Sequence, residues 1–211
     1  MRTWIAVAAA AAVIVVGVVV LDHSTNRDGD SVAVVGDSIT QFGTGQLQST
    51  LGPDFHLTIV GKGGKRSDEL YADAVELAKA KPKQAIIELG TNDILQHVPI
   101  SQVADELGKI VDLFSASECV HVVNVNTHIS KGGDKPAADA TALDQRIDQL
   151  ASDHHNVDVV DWNGMVQDSI DGDPPLGFIF DGVHPTADGQ RQLADEYESA
   201  LQDCGRAWKF W

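Results

Sequence analysis

The chain has 211 residues and a formal net charge of −16, with 43% hydrophobic and 22% charged residues. This composition excludes a wholly disordered chain and a polytopic membrane protein, and the length suits a single domain. The negative charge argues against nucleic acid and anionic lipid as partners, because both are polyanions. Two cysteines, Cys119 and Cys204, are too few for a disulfide-dense scaffold or a four-cysteine zinc site.

An uncharged apolar run of 18 residues, 4–21, opens the chain and approaches the roughly 20 residues that span a bilayer. Arg2 precedes this run and Asp22 follows it, which predicts that the amino terminus stays in the cytoplasm and the rest is exported. The run ends in bulky residues, Val18 to Leu21, rather than in the small residues of a cleavage site. This favours an uncleaved membrane anchor, with a cleaved signal peptide and secretion as the alternative.

Residues 22–30 are polar and contain glycine, which predicts a linker. The soluble domain is then expected over residues 31–205, followed by a short aromatic tail at 206–211. Residues 1–31 contain two of the basic and three of the acidic residues, so nearly all the negative charge belongs to the expected soluble domain. We expect this domain to be a monomer.

Strands and helices alternate along the soluble domain. Short β-branched runs predict strands at 31–36, 56–61, 84–90, 120–127 and 157–161. Patterns of helical period predict helices at 71–81, 101–114 and 137–154, and a last helix from Thr186 to about Asp203. Apolar strands that alternate with amphipathic helices are typical of a parallel sheet covered on both faces. The predicted fold is α/β, a flavodoxin-like three-layer α/β/α sandwich with a five-stranded parallel sheet.

Four polar or glycine-rich turns lie after the predicted strands, where ligands bind in such sheets. They contain Ser38, the pair Gly63 and Gly64, Asn92, and the pair Asp181 and His184. Each residue has an ordinary structural explanation, such as a helix cap or a tight turn. Together on one edge, they supply a nucleophile, a base, an orienting carboxylate and oxyanion donors, which are the parts of an acyl-transfer site.

The order and the amino-acid sequences of these turns resemble those of the SGNH-hydrolase superfamily, also called GDSL-type esterases. The sequence GDSI at 36–39 is similar to its first block, Gly63 and Gly64 to its second, GTND at 90–93 to its third, and Asp181 with His184 to its last. The stretches VHVVNVNT, VDVVDW and FDGVHPTADGQRQLA further resemble SGNH domains attached to cell-envelope acyltransferases, although this chain lacks their multi-span portion.

The resemblance implies a role for each matching residue. Ser38 is the expected nucleophile, His184 the general base and acid, and Asp181 the carboxylate that orients the imidazole. The backbone N–H groups of Ser38 and Gly64 and the side-chain amide of Asn92 are the expected oxyanion hole. The second block has Gly61 where the family usually has Asn, and its spacing leaves Gly63 open as the alternative to Gly64.

The residues around these turns suggest further roles. Asp37 and Asp93 are expected to cap turns and hold loops. The basic residues Lys62, Lys65 and Arg66 form either a solvated turn or a site for an anionic substrate group.

Aromatic residues and the cysteines leave further alternatives open. Trp162, Phe178 and Phe180 either pack in the core or line an acyl or sugar pocket. Cys119 and Cys204 can form a disulfide in an oxidising exterior, and the sequence leaves this pairing open.

We therefore expect a serine-dependent ester hydrolase that acts through an acyl-serine and requires no metal or organic cofactor. The expected substrate is an acylated envelope glycan or a small or lipid ester, and a transferase would use the same residues. The alternative is a non-catalytic module of the same fold that binds an acylated envelope ligand. A flavin-binding flavodoxin is disfavoured, because the first turn lacks a Ser/Thr-rich phosphate loop.

Overall fold

The computed structural model describes residues 18–21, 29–129, 134–172, 175 and 177–204. The strands are β1 (Val18–Leu21), β2 (Ser31–Gly36), β3 (His56–Gly61), β4 (Gln84–Glu88), β5 (Cys119–Val123) and β6 (Val157–Val160). The helices are α1 (Ser38–Leu51), α2 (Ser67–Lys79), α3 (Thr91–Leu95), α4 (Ile100–Leu113), α5 (Asp134–Asp153), α6 (Trp162–Asp171) and α7 (Ala187–Asp203).

The strands form one sheet in the order β1-β3-β2-β4-β5-β6. Strands β2 to β6 are mutually parallel, and all five match the predicted strands to within a few residues. The five-stranded parallel sheet predicted from the sequence is therefore confirmed. The central strands β2, β4 and β5 are buried on both faces, which explains why they read as continuous apolar runs rather than as alternating ones.

Two separate apolar cores cover the two faces of the sheet. Residues of α2, α4 and α5 form one core with one face of the strands, and residues of α1, α6 and α7 form the other with the opposite face. Leu107 and Leu143 are fully buried in the first core, and Trp162 and Tyr197 in the second. The molecule is thus the three-layer α/β/α sandwich that the alternating pattern predicts.

A sixth strand, β1, lies antiparallel on the edge of β3, with Val18 opposite Gly61 and Leu21 opposite Thr58. The sequence assigned these residues to the end of the apolar run and predicted no strand there. Consecutive valines have high strand propensity, and pairing satisfies the backbone groups along the edge of β3.

The rest of the apolar run, most of the linker and the aromatic tail at 206–211 lie outside the described residues. In the described part of the chain, no helix has both the length and the apolar content to cross a membrane. Of the anchor predicted over residues 4–21, the last four residues form β1 instead, and membrane insertion of the part before them stays a prediction.

Cys119 and Cys204 form a disulfide, with their Cα atoms 5.9 Å apart. Cys119 opens β5 and Cys204 follows the last residue of α7, so the bond ties the last described helix to the strand next to the β6 edge of the sheet. The pairing that the sequence left open is therefore present. Because Cys119 lies at the amino end of its strand, the disulfide is at the opposite end of the sheet from the turns that carry Ser38 and Asn92.

Candidate active site

Ser38 is the first residue of α1 and lies directly after the carboxyl end of β2. The carboxylate of Asp37 caps this helix, since its Oδ1 accepts a hydrogen bond from the backbone N–H of Ile39 at 2.9 Å. The turn requires glycine at position 36, because a Cβ there would lie 2.0 Å from the Thr40 hydroxyl. This local geometry places the Ser38 hydroxyl at the rim of the sheet, where the residue is 7% exposed.

Ser38, His184 and Asp181 form a continuous hydrogen-bonded chain. The Ser38 Oγ lies 2.9 Å from His184 Nε2, and His184 Nδ1 lies 2.9 Å from Asp181 Oδ2. With Nδ1–H donating to the carboxylate, Nε2 is the acceptor for the serine hydroxyl. The second carboxylate oxygen of Asp181 accepts from the backbone N–H groups of His184 at 2.8 Å and Val183 at 3.1 Å.

The loop that carries Asp181 and His184 is held as a small hairpin. Ile179 and Pro185 form an isolated antiparallel bridge, and the N–H of Phe180 donates to the carbonyl of His184 at 3.1 Å. Val183 is 3% exposed and packs into the apolar core, which fixes the tip of the loop. The two polar side chains of the loop are therefore oriented before any substrate binds.

Asn92 lies on the short helix α3, which follows β4. Its Nδ2 donates to Asp37 Oδ2 at 2.8 Å, which fixes the orientation of the amide and leaves its second hydrogen without a bond to the described residues. Gly90, the residue before α3, has φ +117, and a Cβ there would lie 2.7 Å from Leu143. This left-handed glycine lets the chain turn sharply enough to bring Asn92 beside the Ser38 turn.

The structure distinguishes Gly63 from Gly64, the two glycines that the sequence left as alternatives for the oxyanion hole. The Gly63 N–H donates to Gln41 Oε1 at 2.7 Å and is therefore occupied. Gly64 has φ +74, and its carbonyl accepts from Gln96 Nε2 at 3.1 Å, while its N–H makes no bond to the described residues. Of the two, Gly64 is the glycine with a backbone donor available.

Two buried carboxyl groups lie behind the Ser38 turn, Asp37 and Glu88. Glu88 Oε2 accepts from the backbone N–H of Thr40 at 3.1 Å and from its hydroxyl at 3.0 Å. Burial raises the pKa of Asp37 to about 6. Burial and then the neighbouring Asp37 charge raise the pKa of Glu88 well above its usual value. Burial also raises the pKa of Tyr197, whose hydroxyl has no hydrogen-bond partner among the described residues.

Asp37 and Asp93 hold loops, as the sequence led us to expect. Asp93 accepts from the backbone N–H and the hydroxyl of Ser67, both at 3.0 Å, and thereby joins the turn of Asn92 to the start of α2. Glu88 was not anticipated, although an acidic residue at the end of an otherwise apolar strand was a signal that could have identified it.

The basic residues beside the second turn are all paired with acidic ones. The ion pairs are Lys62 with Asp73 at 2.7 Å, Lys65 with Glu69 at 2.7 Å, and Arg66 with Asp68 at 2.9 Å. Their charge is compensated locally, which favours the solvated turn over a site for an anionic substrate group.

Two aromatic rings lie beside the imidazole of His184. The centroid of the Phe180 ring is 5.9 Å from that of His184 with an interplanar angle of 25°, and Phe42 is at 5.4 Å and 58°. Trp162 and Phe178 are instead buried in the core. Of the three aromatic residues that the sequence singled out, only Phe180 reaches the site, and Phe42 was missed because its helix was not predicted.

One buried histidine away from the site has a structural partner on a neighbouring strand. His121 is buried in β5, its Nε2 lies 3.1 Å from Gln84 Oε1, and burial lowers its pKa to about 4. Within the described ranges, no cluster of three or more His, Cys, Asp or Glu side chains could hold a metal ion.

The fold is a three-layer α/β/α sandwich, and Ser38, His184 and Asp181 are connected as in the catalytic triad of a serine hydrolase. The sequence profile of the GDSL-like lipase/acylhydrolase family matches residues 34–192, so the chain belongs to this family and is a carboxylic ester hydrolase. The predicted resemblance to SGNH hydrolases is thereby confirmed. No curated protein sequence matches the chain significantly.

Solved structures of similar fold include three esterases or hydrolases. LAE5, an α/β hydrolase from the metagenome of Lake Arreo, is 17% identical with a TM-score of 0.71, over 82% of this chain and 95% of that one. The acetyl xylan esterase AlAXEase is 21% identical with a TM-score of 0.69, over 81% and 98%. The acetylxylan esterase Axe2 from Geobacillus stearothermophilus is 19% identical with a TM-score of 0.66, over 82% and 94%. At these identities the likeness concerns the fold.

Proposed function

We propose that the protein hydrolyses carboxylic esters through an acyl-serine intermediate on Ser38. The observation that carries the proposal is the hydrogen-bonded chain from Ser38 Oγ through His184 to Asp181, with both links at 2.9 Å. This arrangement activates a hydroxyl that is a weak nucleophile by itself.

In the first half-reaction His184 Nε2 takes the hydroxyl proton as Ser38 Oγ attacks the ester carbonyl carbon. The carbonyl oxygen becomes an oxyanion, which the N–H groups of Ser38 and Gly64 and the amide of Asn92 stabilise. Collapse of this intermediate breaks the bond to the alcohol oxygen, which takes the proton from Nε2. Water then repeats the sequence on the acyl-serine and releases the acid, with His184 again as base and then acid.

For the substrate we propose an acyl ester outside the cytoplasm, on an envelope glycan, a lipid or a small molecule. The Cys119–Cys204 disulfide supports export, because such bonds persist in oxidising compartments. Two proteins of similar fold are acetylxylan esterases, which supports a short acyl group on a glycan. Membrane attachment through the part of the apolar run that precedes β1, with the domain facing outward, belongs to the same proposal. Transfer of the acyl group to a sugar hydroxyl would use the same residues.

The test is hydrolysis of p-nitrophenyl acetate by the full chain and its variants. Ser38→Ala and His184→Ala should each lower kcat by at least about 10³-fold, because the acyl-serine route needs both groups. Ser49→Ala on the same helix and His155→Ala on the surface are matched controls that should keep the wild-type rate. A fluorophosphonate should label the wild type but not Ser38→Ala.

Unchanged hydrolysis in Ser38→Ala would contradict the assignment of the nucleophile. No hydrolysis and no labelling of the wild type would instead favour the non-catalytic binding module.

A further inference from the structure

Phe42 and Phe180 are exposed although they are large and apolar. These two residues are 60% and 67% exposed, whereas the other exposed large hydrophobic residues in the described part of the chain, Tyr71 and Ile170, are only 37% and 39% exposed. Phe42 and Phe180 come from different elements, α1 and the loop before α7, yet both rings contact the same imidazole. Exposed apolar groups that converge on one site indicate a binding surface.

Local structure explains why both rings reach His184. Phe42 lies four residues after Ser38 on α1, so the two side chains are on the same face of the helix. Phe180 immediately precedes Asp181, and its N–H donates to the carbonyl of His184 at 3.1 Å. The backbone that positions the triad therefore also positions the rings.

Support of the imidazole alone does not account for this arrangement. The position of His184 is already set by Ser38, by Asp181 and by the hairpin. A residue that served only as packing would be buried by its neighbours, whereas Phe42 and Phe180 are each more than half exposed.

The chemistry of the reaction identifies the part of the substrate that these rings meet. His184 Nε2 gives its proton to the alcohol oxygen as the ester bond breaks, so this oxygen must approach the imidazole. The carbonyl oxygen points instead toward the donors of Gly64 and Asn92. The alcohol half of the ester therefore lies next to Phe42 and Phe180.

We propose that Phe42 and Phe180 bind the alcohol half of the substrate and select alcohols that present a flat, apolar face. Such a face is offered by an aryl ring or by the carbon-bound hydrogens on one side of a pyranose. This inference rests on the proposed function, and it assigns the selectivity of the site to the leaving group.

The test compares two acetates whose leaving alcohols have similar acidity, phenyl acetate and hexafluoroisopropyl acetate. Only the phenyl ester has a flat ring. Phe180→Ala should lower kcat/KM for phenyl acetate by about 2- to 10-fold, the usual contribution of an aromatic contact, and change the other ester by less than about twofold. Phe42→Ala should act in the same direction, and Phe180→Trp should retain the preference. Tyr71→Ala and Ile170→Ala are controls that should change neither rate.

A mono-acetylated methyl glucopyranoside, used as a third substrate, distinguishes recognition of a pyranose from recognition of an aryl ring. A selective loss with this ester as well as with phenyl acetate would support recognition of a pyranose, and a loss with phenyl acetate alone would support recognition of an aryl group. An equal loss with phenyl and hexafluoroisopropyl acetate would overturn the inference, because it would show that Phe180 acts by holding His184. No change with phenyl acetate would also overturn it.

Failure of the proposed function gives a different result. In that case the wild type would hydrolyse neither acetate, or Ser38→Ala would hydrolyse both, and the inference would fail together with the function on which it rests.

Discussion

The hydrogen bond between Asp37 and Asn92 makes Asp37→Asn an informative substitution. Asp37 Oδ1 accepts from the N–H of Ile39 at 2.9 Å, and Oδ2 accepts from Asn92 Nδ2 at 2.8 Å. An asparagine that keeps Oδ1 on the helix cap places its own Nδ2 against Asn92 Nδ2, so two donors face each other. The least costly response is rotation of the Asn92 amide, which turns its carbonyl oxygen toward the place of the oxyanion.

The rotation removes one donor from the proposed oxyanion hole and replaces it with an acceptor. Loss of one such donor costs about 10²–10³ in kcat, or about 2.7–4 kcal/mol of transition-state stabilisation. Because the full negative charge develops only in the transition state, KM should change little. The assay is steady-state hydrolysis of p-nitrophenyl acetate at pH 8, where the Asp37 carboxyl, whose pKa burial raises to about 6, is ionised in the wild type.

A double variant tests the same reasoning independently. Asn92→Asp alone opposes two carboxylates, whereas Asp37→Asn with Asn92→Asp restores a donor and an acceptor across the 2.8 Å contact. The double variant should recover stability relative to Asn92→Asp but not activity, since a carboxylate at position 92 has no donor for the oxyanion. A kcat within about threefold of wild type for Asp37→Asn would refute the proposed control of the Asn92 amide by Asp37.

The remaining predictions concern stability. Burial raises the pKa of Asp144 to about 7, so folding loses stability as pH rises from about 4 to 7. The full pKa shift corresponds to about 4 kcal/mol, which we halve to about 2 kcal/mol because the side chain is partly exposed to solvent. Asp144→Asn should therefore raise the free energy of unfolding at pH 8 by about 2 kcal/mol and leave it unchanged at pH 4. Urea titrations at the two pH values measure both. Replacing Cys119 and Cys204 by Ala removes a cross-link between residues 85 apart and should lower the free energy of unfolding by about 4 kcal/mol. Reductant should lower the free energy of unfolding of the wild type to the same value. Gly90→Ala, at φ +117, should cost about 2 kcal/mol in thermal unfolding, whereas Gly45→Ala, in open space on α1, should stabilise by about 0.5–1 kcal/mol. The first expectation is contradicted if the stability of Asp144→Asn depends on pH as that of the wild type does. The second is contradicted if reductant leaves the stability of the wild type unchanged, and the third if Gly90→Ala and Gly45→Ala change stability equally.

The sheet was predictable because each parallel strand is a compact run rich in β-branched residues, and the central strands are buried on both faces. Helix α1 was not predicted, because Gly43 and Gly45 interrupt its apolar pattern and both are poor helix formers. Packing against α7 and a cap from Asp37 compensate for this weak propensity, and neither is visible in a local window of sequence. Strand β1 was not predicted either, because it ends an apolar run whose hydropathy is compatible with both a membrane segment and a strand at the edge of a sheet.

Some residues of the candidate site could be predicted from the sequence, and others could not. Ser38, Asp181 and His184 were identified by motifs that resemble those of a family, since spacing alone left each with a structural explanation. Phe42 was missed because helix α1 was not predicted, and Glu88 because its acidic side chain at the end of an apolar strand was not recognised as a signal. The choice between Gly63 and Gly64 required the position of one side chain, Gln41, which no local pattern encodes.

The hydrogen bond between Ser38 and His184 joins residues that are 146 positions apart. Its formation requires β2 and the hairpin before α7 to be in their final places, so the contact belongs to the most non-local part of the folding reaction. An intermediate that contains only the early strands and helices therefore has no activated serine. Ester hydrolysis would consequently return during refolding only when both segments are in place, and the recovered rate would measure the fraction of molecules in which the Ser38 turn and this hairpin have come together.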